Sequence, residues 1–166
     1  MYRLPDSSDE EMTISHEWEV AMTAGRLCSR ILATASPDES VRAAARRMAE
    51  YDVGTLVVLK EDRGTRAVGV ITDRDITLRC VAQKVDADAT LVSEIMTKPV
   101  YTVRDETSIV EAVVKMAAAG TRRLVVTAEG DRVAGLLSLD DILDDMVRET
   151  AAIGKLLQKQ QPRVPA

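Results

Sequence analysis

Residues 69–76 read Gly69-Val-Ile-Thr-Asp-Arg-Asp-Ile76, and residues 135–142 read Gly135-Leu-Leu-Ser-Leu-Asp-Asp-Ile142. Each string holds a glycine, two aliphatic residues, a hydroxyl residue and then an Asp-Ile pair. A hydroxyl residue with an acid three positions later is a helix start: the hydroxyl caps free amides and the acid suits the helix dipole. Each string therefore ends a strand and opens a helix. The likeness spreads outward from there. Thr34 to Leu59 lies over Thr102 to Thr127 with identities at Thr34/Thr102, Ser40/Ser108, Ala44/Ala112, Met48/Met116 and Leu56-Val-Val58/Leu124-Val-Val126. The spacing is 68 residues there and 66 at the two strings. Upstream, Leu27, Ser29 and Ile31 match Leu91, Ser93 and Ile95 at a spacing of 64. On that reading the second copy gains four residues before Thr102 and loses two in its hairpin loop, and indels of this kind belong in loops.

Both copies share one grammar. Val41, Ala44, Ala45, Met48 and Ile109, Ala112, Val113, Met116 are apolar at i, i+3, i+4, i+7, the stripe of an amphipathic helix. Ser36, Pro37 and Glu39 predict the start of the first such helix as a capping box with proline at its first position. Thr55 to Leu59 and Arg123 to Thr127 are β-branched runs, each followed by a polar turn (Glu61 to Thr65; Glu129 to Asp131) and a second strand, Ala67 to Thr72 or Arg132 to Leu137. Helices then open at Thr72 and Ser138. The fold class is α+β: two tandem β-α-β-β-α units of about 60 residues, each too small to bury both faces of its sheet alone. They are expected to pack with pseudo-twofold symmetry. Boundaries fall at 1–26 for an N-terminal extension, 27–84 for the first repeat, 85–90 for a linker, 91–148 for the second repeat and 149–166 for a C-terminal extension. Ser8-Asp-Glu-Glu11 and the pairing of Trp18 with Met22 predict a flanking helix over Asp9 to Arg26. Leu139, Ile142, Leu143, Met146 and Val147, continued by Ile153, Leu156 and Leu157, predict a long final helix. Its far end reads either as a solvated tail or as a self-association surface.

Two such units in tandem resemble a pair of cystathionine β-synthase (CBS) domains, the Bateman module. Ser93-Glu-Ile-Met-Thr-Lys-Pro-Val-Tyr-Thr-Val103 resembles the opening of a family repeat, and Gly120-Thr-Arg-Arg-Leu-Val-Val126 its segment with a basic pair before a strand. The resemblance implies a regulatory module rather than a catalyst. It implies ligands that contain adenosine: AMP, ADP or ATP, less often S-adenosylmethionine, NAD or a cyclic dinucleotide. It also implies two clefts between the packed repeats, a homodimer and a regulated partner whose identity the sequence does not carry.

The residues support that chemistry and also admit plainer roles. A carboxylate accepts from both vicinal hydroxyls of a ribose, so Asp75 and Asp141 are candidate ribose acceptors. They are equally good helix starters. Thr72 and Ser138 either cap their helices or join the helix amides in holding a phosphate. Arg74, Arg122 and Arg123 are the candidate phosphate partners. Because neighbouring strand residues face opposite ways, one arginine of the 122–123 pair is expected in the cleft and the other in solvent. In the family the opening threonine of one repeat works with the aspartate of the other, which implies adenine contacts from Thr34 and Thr102 and from the chain near Val53 and Thr121. One cleft then combines Thr102, Thr72, Arg74, Asp75 and an arginine of the pair. The other combines Thr34, Ser138 and Asp141, with Asp140 in place of Arg74 and a shortened lead-in. The Asp75 cleft is the expected better site.

Composition sets the outer limits. Among 166 residues there are 22 Lys and Arg against 27 Asp and Glu, a net charge of −5, which disfavours a general phosphate-backbone surface and hence nucleic acid. Aromatic residues are 2% of the chain, so base-stacking rows are absent and the interior is aliphatic. A single histidine, His16, argues against a multi-histidine metal site and a Ser-His-Asp triad. The two cysteines, Cys28 and Cys80, form no CxxC pair and read as buried free thiols. No stretch has the pattern of a secretory signal or a membrane span, so a cytoplasmic location is expected. Two readings follow: an adenosine-nucleotide-binding regulatory module, and a ligand-free dimeric interaction scaffold with degenerate pockets.

Overall fold

A computed structural model describes residues 22–61 and 65–159. It contains two three-stranded sheets of identical plan. In the first, β1 (Thr34–Ala35) runs parallel to β2 (Thr55–Glu61), which pairs antiparallel with β3 (Thr65–Thr72). In the second, β4 (Thr102–Arg104), β5 (Arg123–Thr127) and β6 (Val133–Ser138) repeat that order and sense. Helix α2 (Val41–Tyr51) covers the first sheet and α5 (Ile109–Ala119) the second. Each hairpin leads into a closing helix. The first, α3, is α-helical over Asp73–Asp75 and continues as a π-helical stretch over Ile76–Val81; its counterpart α6 spans Leu139–Lys159.

The predicted stripes form the cores at three of their four positions each, while Ala45 is only partly buried and Val113 is exposed. Val41, Ala44 and Met48 of α2 meet Leu56 and Val58 of β2 and Ile71 of β3, while Ile109, Ala112 and Met116 of α5 meet Leu124, Val126 and Leu137. Val57 and Val125 alternate to the opposite sheet faces. They are buried but belong to neither cluster, which places them on the side where the repeats face each other, along β3 and β6. Cys28 and Cys80 are buried free thiols in different cores.

The segments before each first strand are exchanged. Helix α1 (Ala24–Leu27) and Cys28 belong to the core of the second repeat, where the Ala24 amide donates to the Thr107 carbonyl at 2.8 Å. Helix α4 (Val92–Ile95) and Met96 belong to the core of the first, where the Val92 amide donates to the Glu39 carbonyl at 2.9 Å. The bridges Thr23–Ser108 and Leu91–Ser40, and Ser29–Leu136 and Thr97–Val70, are matching pairs.

Those pairs correct three sequence expectations. First, the lead-ins are of equal length. Thr23 occupies the place of Leu91, Ser29 that of Thr97, and Cys28 that of Met96, so the spacing is 68 from Thr23 as far as the hairpin loop. The Leu27/Leu91, Ser29/Ser93 and Ile31/Ile95 identities are coincidental, and the first repeat lacks nothing before Thr34. Second, α2 starts at Ser40, whose hydroxyl accepts from the Ala43 amide at 3.2 Å, and not at Ser36. The carbonyls of Pro37 and Glu39 are committed to the Ser93 and Val92 amides of the crossing lead-in, so this stretch stays outside the helix. Glu39 instead pairs with Arg47 at 2.6 Å. Third, the helix expected over Asp9 to Arg26 does not run through its end. Met22 and Thr23 are non-helical, with the Met22 carbonyl accepting from Ile109 and Thr23 bridging Ser108. The rest of that helix, with Trp18 and His16, lies outside the described residues.

Candidate functional site: two clefts between the repeats

Thr72 ends β3 with its hydroxyl accepting from the Asp75 amide at 3.1 Å, while Asp75 Oδ2 accepts from the Thr72 amide at 3.0 Å and from its hydroxyl at 2.7 Å. Ser138 and Asp141 repeat this capping box, with the matching contacts at 3.1, 2.9 and 2.6 Å. Both aspartates are thus fixed at helix N-termini in clefts between the sheets. Their other oxygens differ. Asp75 Oδ1 accepts from the Thr97 hydroxyl at 3.1 Å and pairs with Arg79 at 3.2 Å. Asp141 Oδ1 has no partner among the described residues. The place of Thr97 is taken by Ser29, whose hydroxyl turns to the Ile31 carbonyl, and that of Arg79 by Asp145.

The Asp75 cleft is a cavity of about 550 Å³. Six predicted residues line it together: Thr72, Arg74, Asp75, Thr121, Arg122 and Arg123. Both arginines of the pair face it, because β5 begins only at Arg123 and strand alternation does not reach Arg122. The guanidinium groups of Arg74, Arg122 and Arg123 have no hydrogen-bond or ion-pair partner among the described residues. Three cations against Asp73 and Asp75 leave this cleft net positive. The lead-in adds an apolar side through Pro99, Val100 and Tyr101.

The Asp141 cleft is smaller, about 220 Å³, and is lined by Val53, Ser138 and Asp141 of the predicted set, with Arg123 again. Among its described lining residues Arg123 is the only cation. Thr55, 7% exposed, also lines it, and its hydroxyl is buried without a hydrogen-bond partner. Asp140, although in the place of Arg74, does not line this cleft.

The two opening threonines are not brought into the clefts. Thr34 lines an adjoining open groove of about 1030 Å³, which shares Ile31, Leu32, Ala33 and Val53 with the Asp141 cleft. Thr102 lies one residue behind Tyr101 and outside the Asp75 lining. Their carbonyls serve the scaffold: Arg47 donates to the Thr34 carbonyl at 2.7 Å and Lys115, its repeat counterpart, to that of Thr102 at 2.5 Å. Sequence reasoning missed Thr97, Arg79, Tyr101 and Thr55. A uniform spacing of 68 would have flagged Thr97 by pairing it with Ser29.

The sequence model of the CBS domain matches residues 24–81 and 92–148, most of the chain. An uncharacterised protein of Methanopyrus kandleri is 30% identical over 141 residues, covering 85% of this chain and 71% of its own. An uncharacterised conserved protein of Pyrococcus horikoshii superposes with a TM-score of 0.67 at 26% identity, over 89% of this chain and 98% of that one. A CBS domain protein of Pyrobaculum aerophilum, solved in complex with AMP, superposes with a TM-score of 0.66 at 31% identity, over 72% and 89% of the two chains.

Proposed function

The chain belongs to the CBS domain family as a tandem pair, and from that premise we propose that it is a regulatory module whose Asp75 cleft binds an adenosine nucleotide: AMP, ADP or ATP. The carrying observation is the gathering of three unpaired guanidinium groups beside a carboxylate at a helix N-terminus, with an apolar wall opposite. Arg74, Arg122 and Arg123 neutralise the phosphates, Asp75 receives the ribose hydroxyls, and Val100 and Tyr101 with Thr121 cover the adenine. The AMP complex of the Pyrobaculum relative supports the ligand class. Charge favours this cleft over that of Asp141, with Arg74, Arg122 and Arg123 lining the one and Arg123 alone the other; lead-in length is not a reason, since the two are equal. Binding changes the packing between the repeats and, through it, the affinity for a regulated protein.

Isothermal titration tests the reading. Asp75→Ala weakens AMP binding at least tenfold, while Asp141→Ala leaves the stronger site unchanged. Equal losses from both changes would remove the preference between clefts. A thermal-shift series with AMP, ADP, ATP, S-adenosylmethionine and NAD ranks the ligands, since a ligand of the folded state stabilises by RT ln(1 + [L]/Kd). No shift with any of them favours the second reading, a dimeric interaction scaffold. That reading has its own support: Val110, Val113 and Val114 of α5 and Leu143, Met146 and Val147 of α6 are exposed, which suits a second copy of this chain. Sedimentation of Met146→Asp checks the pairing, with a shift towards monomer expected.

A further inference from the structure

Arg123 and Leu136 line both clefts. We propose that the two clefts are coupled through the single guanidinium of Arg123, so that an anionic ligand held in one lowers the affinity of the other for a second anion. The inference rests on the nucleotide reading above and adds its regulation.

Arg123 opens β5 opposite Ser138 of β6, and its amide and carbonyl both contact the Thr121 hydroxyl, at 3.3 and 3.2 Å. Its backbone is therefore pinned at the junction while its half-buried side chain has no partner among the described residues. The charged groups around it are unevenly shared. On one side stand Asp73, Asp75, Arg74 and Arg122; on the other, Asp141 alone. Asp75 is already satisfied by Thr72, Thr97 and Arg79, whereas Asp141 keeps one oxygen unpartnered. The buried, unpartnered Thr55 hydroxyl lies in the Asp141 wall as well. An anion in the Asp141 cleft thus finds in Arg123 the only cationic side chain of that cleft's own lining. An anion in the Asp75 cleft draws the same guanidinium, a planar fork that serves one oxyanion at a time in its bidentate geometry. By linkage the penalty is reciprocal.

The test separates coupling from intrinsic inequality. Val100→Trp fills the Asp75 cleft without touching the Thr121 hydroxyl that holds Arg123, and AMP then titrates the Asp141 cleft alone. We expect that affinity to exceed the second AMP step of the unmodified chain by about tenfold, a common size for coupling between sites. Adenosine, without a phosphate, shows no such gain, and Arg123→Gln abolishes it for AMP. A second measurement needs no variant: in the unmodified chain the ratio of the two stepwise constants is larger for AMP than for adenosine. Equal ratios, or a second AMP step as strong as that in Val100→Trp, overturn the coupling and leave the nucleotide reading standing. Failure of AMP to bind any of these proteins overturns the nucleotide reading and the coupling with it.

Discussion

The carboxylate of Asp75 accepts from the amide and hydroxyl of Thr72, from the Thr97 hydroxyl and from Arg79. A ribose arriving there exchanges with the weaker of these contacts, and Thr97, whose hydroxyl is neutral, is the one to yield. Asp141 has room for a new donor but little cationic company. The aspartates are equal in sequence and unequal in chemistry. Cys28 gives a prediction at the same scale. Burial pushes its thiol above the ordinary value. The folded chain therefore binds that proton more tightly than the unfolded chain, and the stabilisation, complete below the unfolded thiol value of about 8.5, is lost as pH climbs through the higher folded value. Urea midpoints measured from pH 7.5 to 10 should fall, and Cys28→Ala should flatten the part of that fall due to this thiol.

At the level of elements, the glycines that head the two signature strings sit where exchanged lead-ins cross β3 and β6. A methyl group on Gly69 would collide with the Met96 side chain, and one on Gly135 with the Cys28 sulfur and, at 2.8 Å, with the Ser29 carbonyl. A thioether moves aside more readily than a backbone carbonyl. Gly135→Ala is expected to cost about 1–3 kcal/mol and Gly69→Ala less, read as urea midpoints. The strands, the stripes of α2 and α5 and the caps at Thr72 and Ser138 were legible because local pattern and tertiary burial agree there. The start of α2 was not, because Ser36, Pro37 and Glu39 satisfy local capping rules while a segment more than 50 residues away takes the carbonyls of Pro37 and Glu39. The clefts were half legible. Arg74, Asp75 and the 122–123 pair carry their chemistry in their side-chain types, whereas Thr97 and Tyr101 enter through a chain crossing that no local spacing encodes.

For the whole molecule, the exchange makes each repeat incomplete without the other's leader. The first core needs Val92, Ile95 and Met96, and the second needs Ala24 and Cys28. A fragment of residues 22–90 should show no cooperative thermal transition by circular dichroism, and extension to residue 97 should restore one. The order of manufacture now runs against the order of assembly. The stretch from Ala24 to Ser29 leaves the ribosome ahead of both sheets, yet its berth beside Thr107 and Leu136 is among the last pieces of the two repeats to be made. The first repeat, too, waits for residues beyond its own end. Neither half is finished while the nascent chain is still short, and Cys28, Met96 and the two sheet faces they cover stay open to solvent and to chaperones until most of the chain has emerged.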